Sequence, residues 1–163
     1  MASRLKRYVL RSIPFLSEGA GLSLTRRWTK DLKEELCGKV TDKFLETLLY
    51  GMDLAFCLSK GYQRNIENFN GRYLFSTAKN PVAAAATFKD GDMEVHEEPT
   101  DDYDWNVRIT FKDAAALRDF IFSKDQDILN SLLKNEVEID GNVSYIYKFG
   151  FMARDLSHRL GVG

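Results

Sequence analysis

Two histidines, two cysteines and one acidic loop are the side chains of this 163-residue chain whose types could do acid–base, redox or metal chemistry. His96 falls on a polar position of the alternating stretch Met93-Glu94-Val95-His96, and His158 falls near the end of a helical pattern. A histidine in the last turn of a helix is accounted for by its attraction to the negative end of the helix dipole. No G-x-S-x-G, H-E-x-x-H or glycine-rich phosphate loop accompanies either histidine. Cys37 and Cys57 do not form a C-x-x-C pair, which excludes a zinc ribbon and a thioredoxin-type motif; two lone thiols read as buried core residues in a reducing compartment. Glu97, Glu98, Asp101, Asp102 and Asp104 are dense enough to attract a hard cation, but they lack the ligand spacing of a calcium loop and read as a solvated loop. The sequence therefore assigns no catalytic residue, no metal site and no cofactor, and the chain does not read as an enzyme.

The elements that carry these residues belong to a globular protein. Apolar residues make up 44% and charged residues 29%, which excludes bulk disorder. The length suits one domain at about 100–200 residues per domain. No run approaches the ~18 apolar residues of a membrane span. A net charge of −1 gives no reason to expect a nucleic-acid partner. The charge is uneven, however. Residues 1–30 hold seven cations (Arg4, Lys6, Arg7, Arg11, Arg26, Arg27, Lys30) against Glu18, which is +6 and leaves −7 for residues 31–163. Arg4, Lys6, Arg7 and Arg11 lie beside Leu5, Val9 and Leu10. Residues 1–16 could thus touch an anionic membrane surface, or pack as a solvated arm on the domain. The chain divides at this level into a basic N-terminal arm and helix, 1–40, and a folded domain, 41–163.

Along the chain, Leu24, Trp28, Leu32 and Leu36 recur every fourth residue, a narrow helical stripe. A second helix starts near Thr41 or Asp42 and carries Phe44, Leu45, Leu48, Leu49, Met52, Ala55 and Phe56, with Gly61 as its stop. Gln63 to Asn70 is a polar turn region. Tyr73 to Thr77 is rich in strand formers. Ala83–Ala86 favour helix by propensity, yet Val82 to Phe88 reads as a strand because Asp90-Gly91 is a hairpin turn that needs a strand on each side. Met93 and Val95 alternate on the return strand, and Val107, Ile109 and Phe111 on a further half-buried one. Asp113 caps a helix through Phe122. Ser123 to Gln126 forms a capping box before a helix with Ile128, Leu129, Leu132 and Leu133. Val137 to Gly141 is a strand, and Asn142 caps a last helix with Ile146, Phe149, Ala153, Leu156 and Leu160 on one stripe. Tyr145, Tyr147, Phe151 and Met152 make that helix apolar on more than one side, so its second side packs in the core, lines a cavity or meets another copy. Strands followed by helices imply an α+β fold, with helices on one face of a mostly antiparallel sheet.

This order, and several segments, resemble the sterol carrier protein 2 (SCP2) family of lipid-binding domains. The resemblance is carried by Asn106-Val107-Arg108-Ile109-Thr110-Phe111-Lys112-Asp113, the helix through Leu132-Leu133, and Val137-Glu138-Ile139-Asp140-Gly141-Asn142. The tail from Tyr145 to Arg154 is similar to bacterial members. The resemblance spans roughly residues 44–160. It implies an SCP2-like fold, a five-stranded, mostly antiparallel sheet covered by helices on one face, here with extra N-terminal helices. It further implies an apolar tunnel that takes a fatty acyl, isoprenoid or similar lipid. Asn135 stands where the family usually has a glycine before the last strand, and asparagine tolerates the same left-handed backbone. The terminal Leu160-Gly161-Val162-Gly163 lacks the peroxisomal address of eukaryotic members, which removes the peroxisome, and the two lone thiols fit a reducing cytoplasm.

The function implied is non-catalytic binding, or transfer, of a hydrophobic lipid. The alternative is an accessory protein that presents a lipid intermediate, such as a quinone precursor, to partner enzymes. The expected ligand-lining residues are Phe120, Leu129, Leu132, Leu133, Tyr145, Phe149 and Met152, on the apolar faces of the three C-terminal helices.

Overall fold

The computed structural model describes residue 30 and residues 44–78, 84–97, 99–100, 102–122 and 128–161. The stripe from Leu24 to Leu36, the helix start at Thr41 or Asp42, the capping box and all of the arm but Lys30 lie outside these residues. Helix α1 (Phe44–Leu58) buries Phe44, Leu45, Leu48, Leu49, Met52, Ala55 and Phe56, the broad apolar face its spacing requires. It ends at Ser59 rather than at Gly61. Ser59 takes an extended backbone, and its hydroxyl accepts a bond from the Tyr62 backbone N–H (3.3 Å), which caps a new short helix, α2 (Lys60–Gln63). Gly61 lies inside α2, where a Cβ would stand 3.4 Å from the Arg159 guanidinium. A 3-10 turn (Arg64–Ile66) leads to the sheet.

Strands β1 (Gly71–Thr77), β2 (Ala84–Lys89), β3 (Asp92–His96), β4 (Val107–Phe111) and β5 (Val137–Gly141) form one sheet in the order β3-β2-β1-β4-β5. Three pairings are antiparallel; β1 and β4 at the centre run parallel. The alanines of β2 are in a strand despite their helix propensity. Ala86 and Ala84 pair with Tyr73 and Phe75 on the inner face, so small residues sit beside large rings. Asp90 (φ 53°) and Gly91 (φ 78°) supply the two positive φ angles of a tight primed turn between β2 and β3.

Parallel neighbours cannot be joined by a hairpin. The chain from Glu97 to Asn106 therefore travels from the β3 edge to the centre of the sheet. Tyr103 Oη lies 2.9 Å from Thr87 Oγ1 on β2, and Asp104 pairs with Arg72 of β1 at 2.6 Å. Asn106 N–H donates to the Arg72 carbonyl at 2.9 Å.

After β4, Asp113 Oδ1 accepts from Ala116 N–H (2.9 Å) and caps helix α3 (Ala114–Phe122). Helix α4 (Ile128–Leu133) ends in a turn at Asn135, whose φ of 54° is the left-handed conformation expected of that position. Gly141 (φ 102°) closes β5 against Asn106, where a Cβ would meet a backbone carbonyl at 2.5 Å. Asn142 Oδ1 accepts from Ser144 N–H (2.9 Å) at the start of helix α5 (Ser144–Leu160), and Gly161 (φ 66°) ends it. Helix α1 packs on β3 and β2, and α5 packs on α1 and α3. The architecture is the α+β arrangement implied by the sequence: a five-stranded, mostly antiparallel sheet with helices over its inner face. Among the described residues no helix is long and apolar enough to cross a membrane.

Candidate functional site: the apolar layer between sheet and last helix

Alternation along the strands sends Tyr73, Phe75, Phe88, Met93, Val107, Ile109 and Phe111 to one face, all of them buried. The stripe on α5 brings Ile146, Phe149, Met152, Ala153 and Leu156 into the same layer. The rings interlock: Phe149 lies 4.7 Å from Phe75 and 6.1 Å from Tyr73 between centroids, and Tyr145 lies 5.5 Å from Tyr73 and 5.6 Å from Phe69. Phe56 stacks on Tyr62 at 4.3 Å. Gly71 makes room at the end nearest Tyr145, where a Cβ would fall 2.6 Å from the Tyr145 ring and 2.8 Å from Phe69.

Polar groups in this layer are spoken for. Tyr73 Oη donates to the Tyr145 carbonyl (3.0 Å), and Tyr62 Oη donates to the Met152 carbonyl (2.8 Å). Both acceptors belong to α5, so the two phenols tie that helix to the sheet and to α2. Burial pushes both hydroxyls well above the ordinary phenol range; Tyr145 adds to the effect at Tyr73, and the Asp155 carboxylate at Tyr62. The phenols stay neutral donors. Ser157 Oγ donates to the Ala153 carbonyl within α5 (3.0 Å).

The residues expected to line a ligand divide. Phe149 and Met152 are fully buried in the layer, and Tyr145 is half-buried at its end. Phe120 is buried against Phe111, 5.8 Å between centroids. Leu132 is partly buried against the core. Leu133 is 83% exposed and lies outside this group. The Leu129 side chain is outside the described residues. Period two within β1 places Tyr73 and Phe75 in the layer, but the sequence reading confined the lining to helices and so missed them. Tyr62, just before the polar turn region, and Phe69, within it, carried no periodic signal.

The residues singled out for other chemistry sit elsewhere. His96 is on the opposite face of the sheet, its Nε2 3.4 Å from Thr87 Oγ1 and its ring against Tyr103, and His158 is exposed in the last turn of α5. Cys57 is half-buried rather than core, because it lies at the edge of the buried face of α1. Asp53 and Cys57, one helical turn apart, approach Asp92 at the start of β3, with ligand atoms within 4.8 Å of one another. In the acidic loop, the hydroxyl of Thr100 holds the exposed Asp102 carboxyl below its usual range.

No family model and no curated protein matches the chain. Solved structures do. UbiJ-SCP2, a ubiquinone synthesis protein, superposes with a TM-score of 0.54 at 14% identity, covering 70% of this chain and 88% of its own. The sterol carrier protein domain 2 of Helicoverpa armigera superposes with a TM-score of 0.51 at 15% identity, covering 74% of this chain and 92% of its own. A double mutant of the sec-alkyl sulfatase PisA1 matches with a TM-score of 0.50 at 13% identity over 69% of this chain, but only 16% of that enzyme. The fold is thus an α+β sheet-and-helix fold of the SCP2 class. Within that class, the matched part of the chain covers 88% and 92% of the two SCP2 structures.

Proposed function

We propose that this protein binds a hydrophobic lipid, fatty acyl or isoprenoid in character, in the layer between the inner face of the sheet and α5. The observation that carries the reading is the layer itself: aromatic and aliphatic side chains of the sheet and of α5 meet there, with the phenol hydroxyls bonded to α5 carbonyls. The likeness of the fold to SCP2 domains supports it. Binding is passive. Each methylene taken from water into such a layer contributes ~0.8 kcal/mol, so a tail of about ten methylenes supports micromolar affinity after ordering costs. No acid, base or nucleophile is needed, and we propose no reaction.

Native mass spectrometry of the protein purified from cells, and after incubation with a fatty acid and with an isoprenoid quinone, tests this. The expected result is a stoichiometric lipid adduct that weakens in Phe149→Ala and Leu132→Trp variants of unchanged circular dichroism. Absence of any adduct under all three conditions overturns the proposal; retention by Leu132→Trp removes that position from the lining. A second reading, presentation of a lipid intermediate to partner enzymes, is supported by the likeness to UbiJ-SCP2. Co-purification of lipid-metabolising enzymes with the lipid-bound form separates it from solitary transfer.

A further inference from the structure

The outer side of α5 is a surface that the lipid layer does not use. Val143, Tyr147 and Phe151 recur at every fourth position, which aligns them along one side of the helix. They are 46%, 50% and 57% exposed, while Ile146, Phe149 and Met152 on the other side are fully buried. One turn beyond Phe151 the same line continues into Arg154 and then His158. Lys148 flanks it, its ammonium 5.5 Å from the Phe69 ring, and Arg159 lies near its end. The one carboxylate of α5, Asp155, lies seven residues from Lys148 on the same flank, where it accepts bonds from Asn65 (2.8 Å) and Arg159 (3.0 Å). The outer arc therefore reads aromatic and then cationic, on a domain whose residues 31–163 carry −7.

This pattern selects among occupants. A tyrosine ring is apolar in body and polar at its tip, which matches the headgroup boundary of a bilayer. Cations on the same arc match anionic headgroups and oppose a second copy of the same basic face. We propose that the outer face of α5 docks on an anionic lipid surface, with Tyr147 and Phe151 entering the headgroup region and Lys148 and Arg154 over the phosphates. The inference rests on this face alone. It adds to the lipid-binding reading the place where the protein meets the membrane.

Co-sedimentation of the full chain with phosphatidylcholine vesicles, with and without phosphatidylglycerol, tests it at low and high salt. Binding is expected with phosphatidylglycerol and low salt only. Tyr147→Ser/Phe151→Ser should weaken it about tenfold or more, and Arg154→Gln about fivefold with a shallower salt dependence. All three positions are at least partly exposed, so these variants should fold, which circular dichroism verifies. Equal sedimentation of the double variant and the parent overturns the proposal. So does binding that survives the double variant but is lost on deletion of residues 1–16, and so does a parent that binds no vesicle. A parent that self-associates through this face, with the double variant monomeric and vesicle binding unchanged, also overturns it. Lipid loading is read by mass spectrometry on the same samples. Loading without vesicle binding ends this inference and leaves the lipid-binding reading standing; vesicle binding without loading does the reverse.

Discussion

The two faces of the sheet are made by the same five strands and differ in almost every physical respect. Inward, β1 presents Tyr73 and Phe75, β4 presents Val107, Ile109 and Phe111, and every one is fully buried. Outward, the same strands present Arg72, Leu74, Arg108 and Thr110, covered only in part by the passage from Glu97 to Asn106. The inner face is held by apolar contact and by phenols bonded to α5. The outer face is held by side-chain pairs within reach of water: Ser76 with Thr110 (2.9 Å), Arg72 with Asp104, and Arg108 over the Trp105 ring at 5.0 Å. The difference teaches where the energy of this fold resides. Exposed pairs contribute little, whereas a buried ring is worth several kcal/mol.

The largest expected effect is therefore on the inner face. Phe75→Ala should cost about 3–5 kcal/mol in urea unfolding, because it empties the space against Phe149 and Tyr73. A loss below ~1 kcal/mol would show that the layer collapses readily and would break the comparison. Next comes the backbone that both faces share. Gly141→Ala should cost roughly 1–3 kcal/mol, since its Cβ would be driven against the Asn106 carbonyl at a positive φ. Smaller again are the hydroxyl ties: Tyr73→Phe should lose about 1 kcal/mol, and the Tyr145 carbonyl should show a shifted amide resonance.

The same ties predict a pH dependence. A phenol whose pKa is raised on folding contributes stability that is fully present below the unfolded value of ~10 and is lost as pH rises toward the folded value. Stability should thus be flat through neutral pH with respect to Tyr62 and Tyr73 and decline above pH ~10. The decline should be shallower in the Tyr62→Phe/Tyr73→Phe variant, as read by alkaline urea titration. The smallest effect belongs to the outer face: Arg108→Ala should change stability by no more than about 0.5 kcal/mol while altering Trp105 fluorescence.

The element order was legible in the sequence because each signal was local. Asp90-Gly91 fixed a hairpin against the helix propensity of its alanines, Asp113 and Asn142 marked helix starts, and Asn135 marked a left-handed turn. The Ser59 break was less legible, since a serine cap competes with a nearby glycine and the outcome depends on where Tyr62 finds its partner. The parallel pairing of β1 with β4 was not legible at all, because no local pattern says which strand a passage of ten residues will reach. The site was half legible: α5 announced its buried stripe and β1 its alternation, while Tyr62 and Phe69 entered the layer only through tertiary packing.

Strand order has a consequence for how this protein behaves in a crowd. Among the described residues β3 and β5 are the two ends of the sheet, each with one ladder of backbone groups unpaired by a further strand. An open ladder invites another chain to add to it. Both ends carry exposed acids, Asp92 and Glu94 on β3, Glu138 and Asp140 on β5. A second copy that approached either end with either of its own would bring carboxylates against carboxylates at strand spacing. Charge placed on the two ends in this way opposes the edge-to-edge pairing that an open ladder otherwise invites.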